Sequence, residues 1–176
     1  MREPSRREPI TIPAEALVLL VGPAGAGKTT FAARHFAASV ILSSDAFRER
    51  LSGDARDQRI SEEAFRALHL AADERLRSGQ LTVIDATNVL FASRAALIDL
   101  AAAWERPAVA IVLDTPLDQC LAWNSERPGR MVPAWVVRRQ HRLMRRSMGH
   151  LDREGFAAVH VLAGIDSLAA LVVTVG

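Results

Sequence analysis

Residues 22–29 read GPAGAGKT, a full match to G-x-x-x-x-G-K-[ST], and everything around this octet follows from it. Glycines at that spacing let successive backbone N–H groups point inward at an anion. The lysine then reaches the β- and γ-phosphates of a nucleotide, and the last hydroxyl serves Mg²⁺. The match carries weight only between a strand and a helix, and both flanks are present: Leu17–Val21 is an unbroken apolar run, and TFAARHFAA continues from residue 30. Gly22, Ala24, Gly25, Ala26, Gly27, Lys28, Thr29 and Thr30 are thus the expected binders of ATP or another nucleoside triphosphate, with Lys28 catalytic as well.

Working outward, short apolar runs at residues 17–21, 40–42, 81–84, 108–113 and 159–162 alternate with longer helical stretches. That alternation predicts an α/β fold, a parallel sheet of the P-loop NTPase type flanked by helices. SEEAFRALHLAADERLRSG, residues 61–79, has a serine cap, early acids, late arginines and a terminal glycine; Ala64, Phe65, Leu68, Ala72 and Leu76 recur at helical spacing. His69 within it reads as a helix-surface residue.

A phosphate loop at the carboxyl end of the first strand places any chemistry in the crevice beyond the strand ends. VILSSD brings Asp45 to that edge, LTVIDATN brings Asp85, Thr87 and Asn88, and AIVLDTP brings Asp114. Asp45 suits a general base for an attacking hydroxyl, and Arg48, three residues on, suits holding that carboxylate or an acceptor phosphate. The plainer reading of this pair is a helix cap with a surface ion pair. Asp85 is a candidate Mg²⁺ residue alongside Thr29, or a loop-capping aspartate; Asp114, before Thr-Pro, reads as a turn residue.

WNSERPGRMVP, residues 123–133, reads as an arginine-bearing lid between two helices, with Arg127 and Arg130 available to neutralise charge on a transferring phosphoryl group. The following helix has an apolar stripe of Val137, Met144, Met148 and Leu151, with Arg138, Arg142, Arg145 and Arg146 elsewhere on its surface. From Asn124 to His150 there are seven arginines against one acid, Glu126, a net of +6. That imbalance points to a phosphate-bearing partner, with a solvated surface as the alternative.

A length of 176 residues fits one domain, expected over residues 16–176. Residues 1–15, with three prolines and mixed charges, read as a flexible lead-in. A formal charge of +2 excludes a binder that works by overall positive charge. The single Cys120 excludes an intrachain disulfide and suits a reducing cytoplasm. No apolar stretch reaches the ~20 residues of a membrane span, and ALVLLVG leads into the phosphate loop, not into a cleavage site. Nothing indicates a homo-oligomer.

Taken together, GPAGAGKTTFA, LSSDAFRERLSGD, ISEEAFRALHLAADERLRSGQLTVIDATNV and MRRSMGHLDREGF resemble the 5′-hydroxyl polynucleotide kinases of bacteria and phages, especially the kinase module of bacterial polynucleotide kinase-phosphatase. The likeness runs from about Leu17 to Leu162. It implies transfer of the γ-phosphate of ATP, or another nucleoside triphosphate, with Mg²⁺, to the 5′-OH of single-stranded or 5′-OH-ended RNA or DNA in nucleic-acid repair. In that resemblance Asp45 matches the general base, Arg48 the acceptor-site arginine, and Lys28 and Thr29 the P-loop pair; Thr87, Asn88 and Arg138 are further candidates for substrate contact.

The family's lid carries R-N-x-x-R, and here WNSER puts Trp123 where the first arginine would stand. Arg130 compensates, or transfer is weakened, or the donor stacks on the indole. The larger bacterial enzyme also has phosphatase and ligase domains, so this chain reads as a free-standing kinase or as one domain of such an enzyme. Two other functions use the same residues: a kinase for a small hydroxyl acceptor such as a nucleoside, sugar or antibiotic, and a nucleotide-binding module without catalysis.

Overall fold

The computed structural model describes residues 9–54, 61–128 and 131–176. Strand β2 (Leu17–Val21) is the centre of a five-stranded sheet in the order β3 (Ile41–Ser43), β4 (Thr82–Asp85), β2, β5 (Ala108–Asp114), β6 (Ala158–Ala163). All four pairings are parallel. The helices are α1 (Lys28–His35), α2 (Ser44–Ser52), α3 (Ser61–Arg77), α4 (Phe91–Ala103), α5 (Leu117–Ser125), α6 (Ala134–Ser147) and α7 (Gly164–Ala170). This is the expected P-loop α/β architecture, with β2 ending where the strand order reverses, between β4 and β5.

The uninterrupted apolarity of β2 has a direct cause: both sheet faces are covered. Val18 and Leu20 pack with Phe31, Ala32 and Phe36 on one face, while Leu17 and Leu19 pack with Leu68, Ala72 and Leu76 of α3 and Leu97 and Ala101 of α4 on the other. Each such fully buried Leu or Phe contributes about 1.5–3 kcal/mol. A third cluster puts Met144 of α6 and Leu151 against Val21, Val89 and Val112, which seats α6 beside the carboxyl ends of the strands.

Several strand ends shift by one residue from expectation, as β4 (82–85 against 81–84) does, and two differences matter most. Val40 closes a short 3-10 turn (Ala38–Val40), so β3 begins one residue later, and its Ser43 pairs in register with Asp85 at the active edge. Residues 10–12, expected to be part of a loose lead-in, form β1 (Ile10–Ile12), parallel to β7 (Val173–Val175). Ile10 and Ile12 alternate inward around Thr11, and Ile12 is fully buried. Among the described residues, no helix is long and apolar enough to cross a membrane.

Candidate active site

The loop between β2 and α1 is built by exclusion of side chains. Gly25 (φ 78°) and Gly27 (φ 90°) lie in the left-handed region. A Cβ on Gly25 would stand 2.0 Å from the Cys120 carbonyl oxygen, so α5 leaves no room for anything larger. Burial pushes the Cys120 thiol up to about 11, which keeps it protonated and inert. Gly27 precedes α1 without a side-chain cap, and the amides of Gly27, Lys28, Thr29 and Thr30 have no acceptor among the described residues. Unclaimed donors at a helix N-terminus form an anion site.

Lys28 is buried, and its Nζ donates to the carbonyls of Gly22 (3.0 Å) and Pro23 (2.8 Å). Burial lowers its pKa from 10.5 to about 8, against the pull of Asp85. Thr29 Oγ1 donates to Asp85 Oδ2 at 2.8 Å, and Asp85 is itself buried, with its carboxyl raised by that burial although Lys28 and Thr29 oppose the shift. Asp85 therefore faces the loop and does not cap one of its own. A hydroxyl beside a buried carboxylate is a hard oxygen set of the kind that Mg²⁺ takes together with phosphates and water. Among the described residues no cluster of three or more His, Cys, Asp or Glu could hold a metal unaided, so an ion here would lean on the nucleotide.

Asp45 lies in the first turn of α2 and pairs with Arg48, which is buried to 9% exposure. No side chain caps α2. The Asp45 carboxylate is close enough to Lys28 and Asp85 to raise the proton affinity of both, and Arg127 is close enough to lower it. Four charged groups from four separate segments thus share one electrostatic neighbourhood at the loop. Asp114, expected in a turn, ends β5 and accepts from Arg145 Nη1 at 2.6 Å.

Arg127 and Trp123 of α5 and its following turn, with Ile165 and Leu168 of α7, wall a cavity of about 500 Å³ whose floor is Gly25, Gly27, Lys28, Thr29 and Thr30. Trp123 closes on Gly27, its ring 3.5 Å from where a Cβ there would sit. Asn124 pairs twice with Val132: Nδ2 donates to the Val132 carbonyl (2.8 Å) and Oδ1 accepts from the Val132 amide (3.1 Å). Arg130 lies outside the described residues. Arg138 is exposed on the outer face of α6.

Asn88, expected to touch substrate, lies just beyond the end of β4. It is buried with φ 48°, and its Nδ2 donates to the Leu20 carbonyl at 2.8 Å, bracing the end of β4 on β2. Thr87 is half-buried, and its carbonyl accepts from the Gly22 amide. Sequence reasoning missed Arg94, a fully buried arginine whose guanidinium forks onto Glu154 (2.6 Å twice) and donates to the Asn88 carbonyl (2.9 Å). Its signal was a lone arginine in the mostly apolar FASRAALIDLAAA. Gln140 was also missed; its Oε1 accepts from the Ala24 amide at 2.8 Å.

A family model described as AAA domain matches residues 17–151, most of the chain. The chain belongs to this AAA domain family. Its fold is also that of P-loop kinases. A chain of the Pnkp1/Rnl/Hen1 RNA repair complex superposes with a TM-score of 0.68 at 22% identity, covering 84% of this chain and 48% of that one. The AvrRxo1-ORF1:AvrRxo1-ORF2 structure with ATP gives 0.61 at 20% identity, covering 78% and 50%. A gluconokinase from Sinorhizobium meliloti 1021 gives 0.53 at 14% identity, covering 90% and 93%. The chain thus spans about half the length of the first two and nearly all of the third. No curated protein sequence matches it.

Proposed function

We propose that this protein is a polynucleotide 5′-hydroxyl kinase that moves the γ-phosphate of ATP, or another nucleoside triphosphate, to the 5′-OH end of RNA or DNA in cytoplasmic nucleic-acid repair. The observation that carries the proposal is the Asp45–Arg48 pair beside the Lys28, Thr29 and Asp85 group: a base for a hydroxyl facing a cradle for a phosphate. The orphan amides of residues 27–30 take the donor phosphates, and Lys28 exchanges its two carbonyl partners for β- and γ-oxygens. Thr29 and Asp85 would hold Mg²⁺, which supplies charge neutralisation on those oxygens.

Asp45 accepts the proton of the attacking 5′-OH while Arg48 fixes the carboxylate and binds the acceptor's phosphate. Arg127, and Arg130 if the lid brings it in, offset charge gathering on the transferring group. Trp123 offers the donor's base a stacking face on the cavity wall. Arg138 and its neighbours on α6 favour a polymeric acceptor over a small neutral one, since a lone sugar leaves an extended cationic surface unused. The test is transfer of labelled γ-phosphate from ATP with Mg²⁺ to a short 5′-OH oligonucleotide, with free nucleoside alongside. Label on the oligonucleotide is expected; label on the nucleoside alone would make it a small-acceptor kinase, and label on neither would remove the catalytic reading.

A further inference from the structure

We propose that Gln140 is a positioning residue for the donor's terminal phosphate, tying helix α6 to the mouth of the P-loop. The inference rests on the reading of that loop as a nucleotide-donor site. Gln140 lies one helical turn from both Val137 and Met144, which are buried, so it faces inward on α6. It reaches the loop from 116 residues away in sequence.

The place where it touches matters. Within the loop, the Gly22 amide is taken by the Thr87 carbonyl and the Ala26 amide by the Pro23 carbonyl, both fixed backbone partners. The Ala24 amide is held by a side chain from another helix, Gln140. The neighbouring Pro23 carbonyl holds the Lys28 ammonium at 2.8 Å, and that ammonium is the group that reaches the β- and γ-phosphates. The Gln140 amide therefore sits where the transferable end of the donor arrives.

A carboxamide has two ends of opposite character. Because Ala24 supplies an N–H, the oxygen of Gln140 must face it, and the amino end is left over. Among the described residues the Gln140 Nε2 has no hydrogen-bond acceptor, and it is not among the buried atoms lacking a partner, so on a half-buried side chain held at Ala24 this end is left accessible beside the loop. One end of the side chain fixes the loop, and the other offers donor hydrogens to an incoming phosphate oxygen.

Glutamate at this position keeps an acceptor for Ala24, removes the donor and adds a negative charge. Methionine keeps the length and removes both polar ends. Equilibrium titration of the full chain with ATP and with ADP, for wild type, Q140E and Q140M, tests the idea, with thermal unfolding of each ligand-free variant in parallel. Q140E is expected to weaken ATP about tenfold or more while ADP stays within about twofold, at an unchanged unfolding temperature. Q140M is expected to lose part of the same ATP preference. An equal loss for both nucleotides, or no loss for either, makes Gln140 a structural contact only and overturns the proposal. A wild-type chain that binds neither nucleotide removes the donor-site reading itself, and this inference with it.

Discussion

The two halves of the active edge treat charge in opposite ways. On the P-loop side Lys28, Asp85 and Asp45 already have partners: Lys28 sits on two carbonyls, Asp85 accepts from Thr29, and Asp45 pairs with Arg48. On α6, Arg138, Arg139, Arg142 and Arg146 face solvent with no acidic partner among the described residues, and only Arg145 is tied, to Asp114. Under the proposed function the contrast separates two kinds of recognition. The cradle is held in shape by its own hydrogen bonds and needs only the local exchange of Lys28 from carbonyl to phosphate oxygens, whereas solvated arginines cost little while idle and act when a polyanion displaces their counterions.

The most severe way to break the first half is Asp45→Asn. Transfer should fall by about 10²–10⁴-fold while nucleotide affinity stays within about twofold, because the carboxylate acts on the acceptor. Near wild-type transfer by this variant would sink the assignment of the base. Next comes the support beneath the cradle. Arg94→Met leaves the Glu154 carboxylate buried without its guanidinium, at a cost of about 3–5 kcal/mol in denaturant unfolding, and Arg94→Met with Glu154→Leu should recover most of it. A double variant no more stable than the single one would show that the pair is not the source.

A pH titration sharpens the comparison at Lys28. Its pKa falls from 10.5 to about 8 on folding. Between those values the unfolded chain holds a proton that the folded chain has released, so the Lys28 contribution makes stability rise with pH across that window. Donor phosphates restore the ammonium's charge, so nucleotide affinity should weaken by about tenfold per pH unit above 8, with proton uptake visible as a buffer-dependent binding enthalpy. A flat profile would mean that Lys28 does not meet the phosphates. The gentlest effect belongs to the second half: Arg138→Ala or Arg142→Ala should each reduce the salt slope of oligonucleotide binding by about 0.7, with nucleotide affinity untouched. An unchanged slope would return α6 to an ordinary solvated face.

The parts of this molecule that were legible in its sequence are those written locally. GPAGAGKT between an apolar strand and a helix carries its own context within about twenty residues, and α3 announced itself by cap, periodicity and terminal glycine. What stayed hidden depends on distant partners. Nothing in EPITIP foretells a strand whose mate is Val173–Val175, because three residues are too few to show a period. Asn88 was legible as a polar residue following the strand that ends at Asp85, but its brace onto the Leu20 carbonyl, 68 residues away, was not. Gln140 sits among arginines, where its neighbours' charge hid its inward face.

The β1–β7 ribbon has a mechanical consequence. Because the two strands run parallel, a pull applied ahead of Ile10 and beyond Val175 acts along the strands in opposite senses, so the ribbon's hydrogen bonds bear the load together instead of opening one after another. A tether attached at those two points would spend its force on this small clasp first. The five-stranded sheet, and the phosphate cradle at its edge, would feel tension only after the clasp had sheared.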